Sequence, residues 1–194
     1  MTDGQSKDNV MAIIVNKEEK RRDIALSCEE LLLDNGIESL TIAQIAKSAG
    51  VGKGTIYEYF INKEDIVFEI ITLFIAEHEK KLLQRVDESS TTREKLFHFF
   101  YLLFEDEIAK RHIKIYKEFL AISITREPED MLAFSEGCHS RFKSILRQIL
   151  KDEPRDIPIS SLVIFSTGLV VESRLDSFDI IKEINLFLDM LLNK

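Results

Sequence analysis

Residues 41–67 read TIAQIAKSAGVGKGTIYEYFINKEDIV, and this stretch decides the fold. Thr41 followed three residues later by Gln44 is the signature of a capping box, in which each side chain satisfies an orphan backbone N–H of the other. Ile42, Ile45, Ala46 and Ala49 then lie on one helical face over two turns. Gly50 stands where that short helix must end, and Val51 is placed to turn its side chain inward. A second short helix is expected from Lys53 to Phe60, with Ile56 and Phe60 one turn apart on its buried side. Two short helices joined by a tight glycine-containing turn make a helix-turn-helix pattern. Asn62, with Asp65 three residues on, caps a long helix from Lys63 to about Val86, whose apolar positions are Ile66, Val67, Ile70, Ile71, Phe74 and Ile75.

Upstream, Ile24, Ala25, Cys28, Leu31 and Leu32 recur at helical spacing and predict a support helix over Lys17–Asn35, stopped at Gly36; residues 1–16 read as a tail. Downstream, Thr91 and Glu94 form a second capping box, opening a helix with Phe97, Phe100, Phe104 and Ile108 on one face. Tyr116, Phe119, Leu120 and Ser123 mark a further helix stopped before Pro128, and Met131, Cys138, Phe142, Ile145 and Ile149 mark one stopped before Pro154. Pro158 suits the first position of the next helix, and Ser177 is placed to cap a last one containing Ile180, Ile181, Ile184, Phe187, Leu188 and Leu191. With 7 Gly, 3 Pro and no alternating pattern, the reading is all-α with about nine helices. It divides into a tail (1–16), a helix-turn-helix domain (17–62) and a larger helical bundle (63–194).

Charge narrows the partners. The net charge is −8, so no global basic field draws the chain to nucleic acid or to anionic lipid. Between Thr41 and Lys63, however, Lys47, Lys53 and Lys63 stand against Glu58 alone, so any DNA binding rests on a local patch. Two cysteines, Cys28 and Cys138, make no disulfide framework. The apolar stretch Ile159–Val171 is short and interrupted by Ser160, Ser161, Ser166, Thr167 and Gly168. A cytoplasmic protein with no membrane partner is expected.

The quoted stretch, with the preceding KEEKRRDIA, resembles the DNA-binding segment of the tetracycline-repressor (TetR) family of bacterial transcription regulators. Thr41, Ala46, Ala49-Gly50-Val51, Lys53-Gly54-Thr55, Tyr57, Phe60 and Lys63 all fall in the family's spacing; the later half resembles it in layout only. The resemblance implies that Thr41, Tyr57, Tyr59 and Lys63 touch phosphates, with Lys53, Gly54 and Thr55 at the groove of double-stranded DNA carrying a palindromic operator. Independently, hydroxyls and lysines are the groups that position a protein on the DNA backbone. Lys53 can donate to guanine, and the Thr55 methyl can pack on that of thymine. No Arg lies in the stretch, so shape is expected to carry much of the specificity. Gly52 departs from the Ser or Thr that the family often has as the cap there.

The resemblance also implies a homodimer formed by the last two helices, through Leu162, Phe165, Gly168, Leu169, Ile184, Phe187, Leu188 and Leu191; an internal core explains the same residues equally well. A dimer places two recognition helices about one helical turn, roughly 34 Å, apart. It implies as well a small, partly hydrophobic inducer in the bundle, lined by candidates Phe97, Phe100, Tyr101, Phe104, Tyr116, Phe119, Ser135, Cys138, His139 and Phe142. Aromatic stripes of this kind are core more often than pocket.

Catalysis is not expected. His78, His98, His112 and His139 show neither an i, i+4 pair nor zinc-site spacing with a cysteine, and no phosphate loop or nucleophile elbow is present. No cofactor and no metal are implied. The reading is therefore a ligand-responsive repressor, with a constitutive or partner-controlled DNA-binding adaptor of the same fold as the alternative.

Overall fold

The structure, a computed structural model, describes residues 16–192. The tail expected over 1–16 lies, apart from Asn16, outside the described residues. Those residues contain helices and no strand, and they divide into two compact units, the first ending at Leu73 and the second beginning at Phe74.

The first unit opens with α1 (16–27) and α2 (Glu29–Ser39). The single support helix expected from Lys17 to Asn35 is interrupted at Cys28, and the side chains there explain the break. The Ser27 hydroxyl and the Cys28 thiol both donate to the Ile24 carbonyl, at 2.7 and 3.1 Å, while the Cys28 N–H bonds back only to Ala25 at 3.0 Å. Short polar side chains that compete for backbone groups loosen a helix in this way. Gly36 ends the regular part of α2 at φ 77°, a left-handed value that favours glycine.

The capping box at Thr41 is present, with Gln44 N–H donating to Thr41 Oγ1 at 3.3 Å and Thr41 N–H donating to Gln44 Oε1 at 3.0 Å. It opens α3 (Ile42–Ser48). Gly50, at φ 65°, closes it with paired bonds from Val51 N–H to Ala46 O (2.9 Å) and from Gly50 N–H to Lys47 O (3.3 Å). This is the Schellman ending that a left-handed glycine permits. The turn delivers the chain directly into α4 (Lys53–Tyr59), capped by the backbone of Gly52 alone. Asn62 Oδ1 accepts from Asp65 N–H at 2.8 Å and starts α5 (Lys63–Glu88). Ile24, Leu32, Ile37, Ile45, Ile56, Phe60, Ile66 and Ile70 fill the core of this unit, each at most 2% exposed.

The second unit contains the remainder of α5, α6 (Thr92–Tyr101), a 3-10 turn (Leu102–Phe104), α7 (Glu107–Arg126), α8 (Glu129–Ile149), α9 (Ile159–Glu172) and α10 (Ile180–Leu192). The Thr91–Glu94 capping box is present. The single face expected through Phe97, Phe100, Phe104 and Ile108 is not. Asp106 accepts from Ala109 N–H at 2.7 Å and starts a new helix, so the register resets and Ile108 is left 54% exposed. The buried face of α6 is Leu96, Phe99 and Phe100. Two caps also differ from expectation. Pro158 precedes α9 as its cap residue, with Ile159 at the first helical position. Asp179 rather than Ser177 caps α10, accepting from Lys182 N–H at 3.0 Å.

The core of this unit centres on Phe100, whose ring meets Phe165 of α9 and Phe187 of α10 edge-on, while those two rings stack on each other at 3.8 Å. Arg93 of α6 ties down α10 through Asp189 (2.7 Å) and Asn185 (2.9 Å). Arg141 of α8 does the same for α5 through Glu79.

Candidate nucleic-acid interface and ligand region

α4 buries Ile56 and Phe60, at 0% and 2% exposure, and that anchoring fixes what it presents outward. Lys53, Gly54 and Tyr57 are exposed, Tyr57 at 60%; Thr55 and Tyr59 are half-buried. Thr41 and Lys47 are exposed on α3 and at its cap. A Cβ added at Gly54 would meet no atom of the chain within 4 Å, so the fold itself does not require glycine there.

Lys63 is placed differently from the other candidate contacts. Its ammonium donates to the carbonyls of Ile37 (3.0 Å) and Glu38 (2.8 Å), closing the C-terminal end of α2. Arg21 on α1, a residue that sequence reasoning did not single out, holds the other end of the site. It donates to Asp65 (2.8 Å), to Glu69 (2.7 Å) and to the backbone carbonyl of Tyr59, and its guanidinium lies 4.3 Å from the centre of the Phe60 ring. One side chain thereby fixes the end of α4 against the start of α5. The signal was available in outline: an Arg on the support helix and two carboxylates one turn apart on α5.

In the second unit the ten candidate ligand residues do not form one lining. Phe100 and Phe104 are core, at 1% and 7% exposure. Phe97 and Tyr101 stack on each other at 5.4 Å, half-buried. Tyr116 stacks on Phe119, and Phe119 meets Phe134 edge-on, forming a second aromatic group on α7 and α8. Phe142 is half-buried, and the Ser135 hydroxyl is spent on the Met131 carbonyl at 2.9 Å. Cys138 is buried, and burial pushes its thiol up to about 11, so it is protonated and unreactive at neutral pH. His139 is exposed to solvent, not turned to the bundle; with Cys138 inward, its neighbour is rotated about 100° away.

The eight candidate interface residues divide in the same way. Leu162, Leu169, Ile184 and Leu188 are 0–2% exposed and fill the chain's own core. Phe165, Phe187 and Leu191 are half-buried, and Gly168 is exposed with open space beside it. The large apolar side chains that α9 and α10 leave exposed are other residues: Ile164 (72% exposed), Ile181 (46%), Leu186 (48%) and Met190 (73%).

Sequence reasoning also missed a pair of histidines. His78 of α5 and His112 of α7 are 8% and 6% exposed, with His78 Nε2 3.4 Å from His112 Nδ1. The His112 ring stacks on Phe74 at 3.3 Å. Burial lowers both: His112 to about 4, helped by the neighbouring His78, and His78 in the same direction. They are 34 residues apart, so no local spacing could have disclosed them. Among the described residues no group of three or more His, Cys, Asp or Glu side chains is arranged to hold a metal, and no helix is long and apolar enough to cross a membrane.

Residues 28–70 match the family described as bacterial regulatory proteins, tetR family. The fatty acid metabolism regulator protein of Bacillus subtilis (strain 168) is 35% identical over 80 residues, 41% of either chain. The uncharacterized HTH-type transcriptional regulator YhgD of the same organism is 29% identical over 134 residues, 66% of this chain and 69% of that one. Alignment with the first two relatives spans about two fifths of their length. Among solved structures, a TetR-family regulator from Rhodococcus sp. superposes with TM-score 0.67 at 17% identity, covering 90% of this chain and 99% of that one. The regulator FadR of Bacillus subtilis, solved with stearoyl-CoA, superposes with TM-score 0.56 at 23% identity, covering 88% and 96%. At these identities the superpositions show a shared fold. The motif, the turn geometry and the family match agree over residues 28–70, so the chain carries a tetR-family DNA-binding segment, and its all-helical fold is shared with solved TetR-family regulators.

Proposed function

We propose that the chain is a homodimeric, non-enzymatic transcriptional repressor of the cytoplasm that binds a palindromic operator and is released by a small, partly hydrophobic molecule. The observation that carries the reading is the exposed face of α4: Lys53, Gly54 and Tyr57 point outward while Ile56 and Phe60 lock the helix from below. The chain leaves open space at Gly54 without needing it, and close approach of a DNA backbone is what such a position serves. Thr41, Thr55 and Tyr59 complete the contact set, with residues 17–62 as the reading head.

Residues 63–194 would supply the sensor and the dimer. The name of the fatty acid metabolism regulator and the stearoyl-CoA bound to FadR support an inducer with an apolar body. Ile164, Leu186 and Met190 offer uncovered apolar surface on α9 and α10 for the second copy, beside Gly168, Phe165 and Phe187. Coupling between inducer and DNA in such proteins is typically about 1–3 kcal/mol and reciprocal, so DNA must weaken inducer binding by the same factor.

Selection of bound sequences from a random DNA pool, repeated across a salt series, tests the reading. A recovered palindrome with a steep salt dependence is expected. A folded dimer that enriches no sequence would refute it and favour an adaptor that borrows the fold.

A further inference from the structure

His78 carries a polar atom that the fold leaves unmatched. Its Nδ1 is buried and makes no hydrogen bond, and among the described side chains it is the one nitrogen or oxygen in that condition. Buried polar atoms are almost always paired, so each exception calls for a cause. Its other ring nitrogen, Nε2, faces His112 Nδ1 at 3.4 Å, and that ring is pinned against Phe74. Nothing local explains why a 92%-buried imidazole should stand here with one nitrogen unused, since a leucine or phenylalanine would fill the space without that cost.

The proton count of the pair defines what the unused atom can take. Both rings are neutral in this environment, so each carries one N–H. If His112 Nδ1–H points at His78 Nε2, the proton of His78 sits on Nδ1 and needs an acceptor. If His78 Nε2–H points at His112, Nδ1 is a lone pair and needs a donor. An oxygen that can both accept and donate satisfies either arrangement. Charged groups of both signs bear on the two rings, Glu77 and Asp106 on one side and Lys81 and Arg111 on the other.

We infer that His78 is the polar anchor of the ligand site in the second unit, and that its Nδ1 takes the head-group oxygen of an otherwise apolar molecule, a carboxylic acid or an alcohol. The inference rests on the ligand-responsive reading above. An acid bound as its carboxylate draws one proton from solvent onto His78 and leaves an imidazolium–carboxylate pair. An alcohol binds without proton uptake.

The test uses the full chain labelled with 15N-histidine and three probes of one length: octanoic acid, octan-1-ol and 1-chlorooctane. The acid and the alcohol are expected to move the His78 Nδ1 resonance, and 1-chlorooctane to leave it in place. Binding of the acid, and not of the alcohol, should depend on the ionisation enthalpy of the buffer in calorimetry, which reports the proton. His78→Phe should weaken the acid and the alcohol about fivefold, the effect of one lost hydrogen bond, and leave 1-chlorooctane unchanged. His78→Asn places an amide near the Nδ1 position and should keep the preference for an oxygen head; with the wild-type resonances, it decides the matter if His78→Phe does not fold. Oxygen-headed probes that bind without moving the His78 signals would overturn the inference. So would acid and alcohol affinities that His78→Phe leaves at their wild-type values, or no binding of either oxygen-headed probe at millimolar concentration. DNA selection is independent of these arms. An enriched operator without probe binding sinks this inference alone, while probe binding at His78 without an enriched sequence sinks the regulator reading alone.

Discussion

The ammonium of Lys63, the first residue of α5, lies 2.8 Å from the carbonyl oxygen of Glu38, and its second bond goes to Ile37. A lysine in this place was expected from the family resemblance to hold a phosphate, yet two of its three N–H groups are spent inside the protein. The two roles make opposite predictions for Lys63→Met. As a helix closure, its loss should lower unfolding stability by about 1–2 kcal/mol and leave the slope of DNA affinity against log salt unchanged. As a phosphate contact, its loss should reduce that slope by about one and leave stability alone. The closure outcome is expected for Lys63, and the slope outcome for Lys53→Ala, whose side chain is exposed. Chemical denaturation and a salt series on both variants separate the two.

Arg21 joins three elements through one guanidinium. Arg21→Met should lose the forked contacts to Asp65 and Glu69, leave those carboxylates facing each other one turn apart, and free the end of α4 at Tyr59. The expected cost is about 2 kcal/mol, above that of an exposed pair because the group is also bonded to backbone and stacked on Phe60. Arg21→Lys should recover less than half of it, since an ammonium cannot reproduce the fork. Equal stability of Arg21→Lys and wild type in urea titrations would show that the geometry is not what matters.

What the sequence disclosed and what it hid follow one rule. Caps and turns are local: Thr41 with Gln44, Thr91 with Glu94, Gly36 and Gly50 are each decided within about five residues, and the structure has them. The end of α6 was misjudged because Asp106 competes locally with a longer apolar stripe, and the cap outweighs the stripe. Which apolar residues face another chain is decided by packing across elements. Leu188 and Met190 look alike in sequence, and only the approach of α6 to α10 sorts one into the core and the other into solvent. The same holds for the candidate ligand residues and for the meeting of His78 with His112.

The buried histidines make stability depend on pH in a definite direction. A histidine whose folded pKa is lowered is destabilised when it must charge. The stability it confers is complete above the unfolded value of 6.5 and is lost as pH falls toward the folded value, about 4 for His112. Between pH 7 and pH 4 His112 should therefore cost roughly 3 kcal/mol, the equivalent of a shift of this size, and His78 acts in the same direction. Carboxylates titrate in part of the same window, so the measurement is a difference. Wild type and His112→Phe, which keeps a ring against Phe74, should be unfolded in urea at pH 7, 6, 5 and 4. The wild-type curve is expected to fall more steeply between pH 6.5 and 4, and parallel curves would mean that the pair is not the cause.

The last two helices offer the sharpest contrast. Leu188 is fully buried on α10, whereas Met190, two residues on, is 73% exposed, and Ile164 on α9 is 72% exposed. Leu188→Ala removes core contacts within one chain and should cost 2–5 kcal/mol of stability. Ile164→Asp and Met190→Asp alter surface positions, so a single chain should change by about 0.5 kcal/mol at most. A carboxylate buried at a symmetric interface would meet its own copy, so either Asp variant should shift sedimentation from dimer to monomer at micromolar concentration. Because two tethered recognition helices bind a palindrome far more tightly than one, operator affinity should fall with the dimer by at least about a hundredfold. A dimer that survives both substitutions would place the interface on another face, and loss of folding in either would return these side chains to the core.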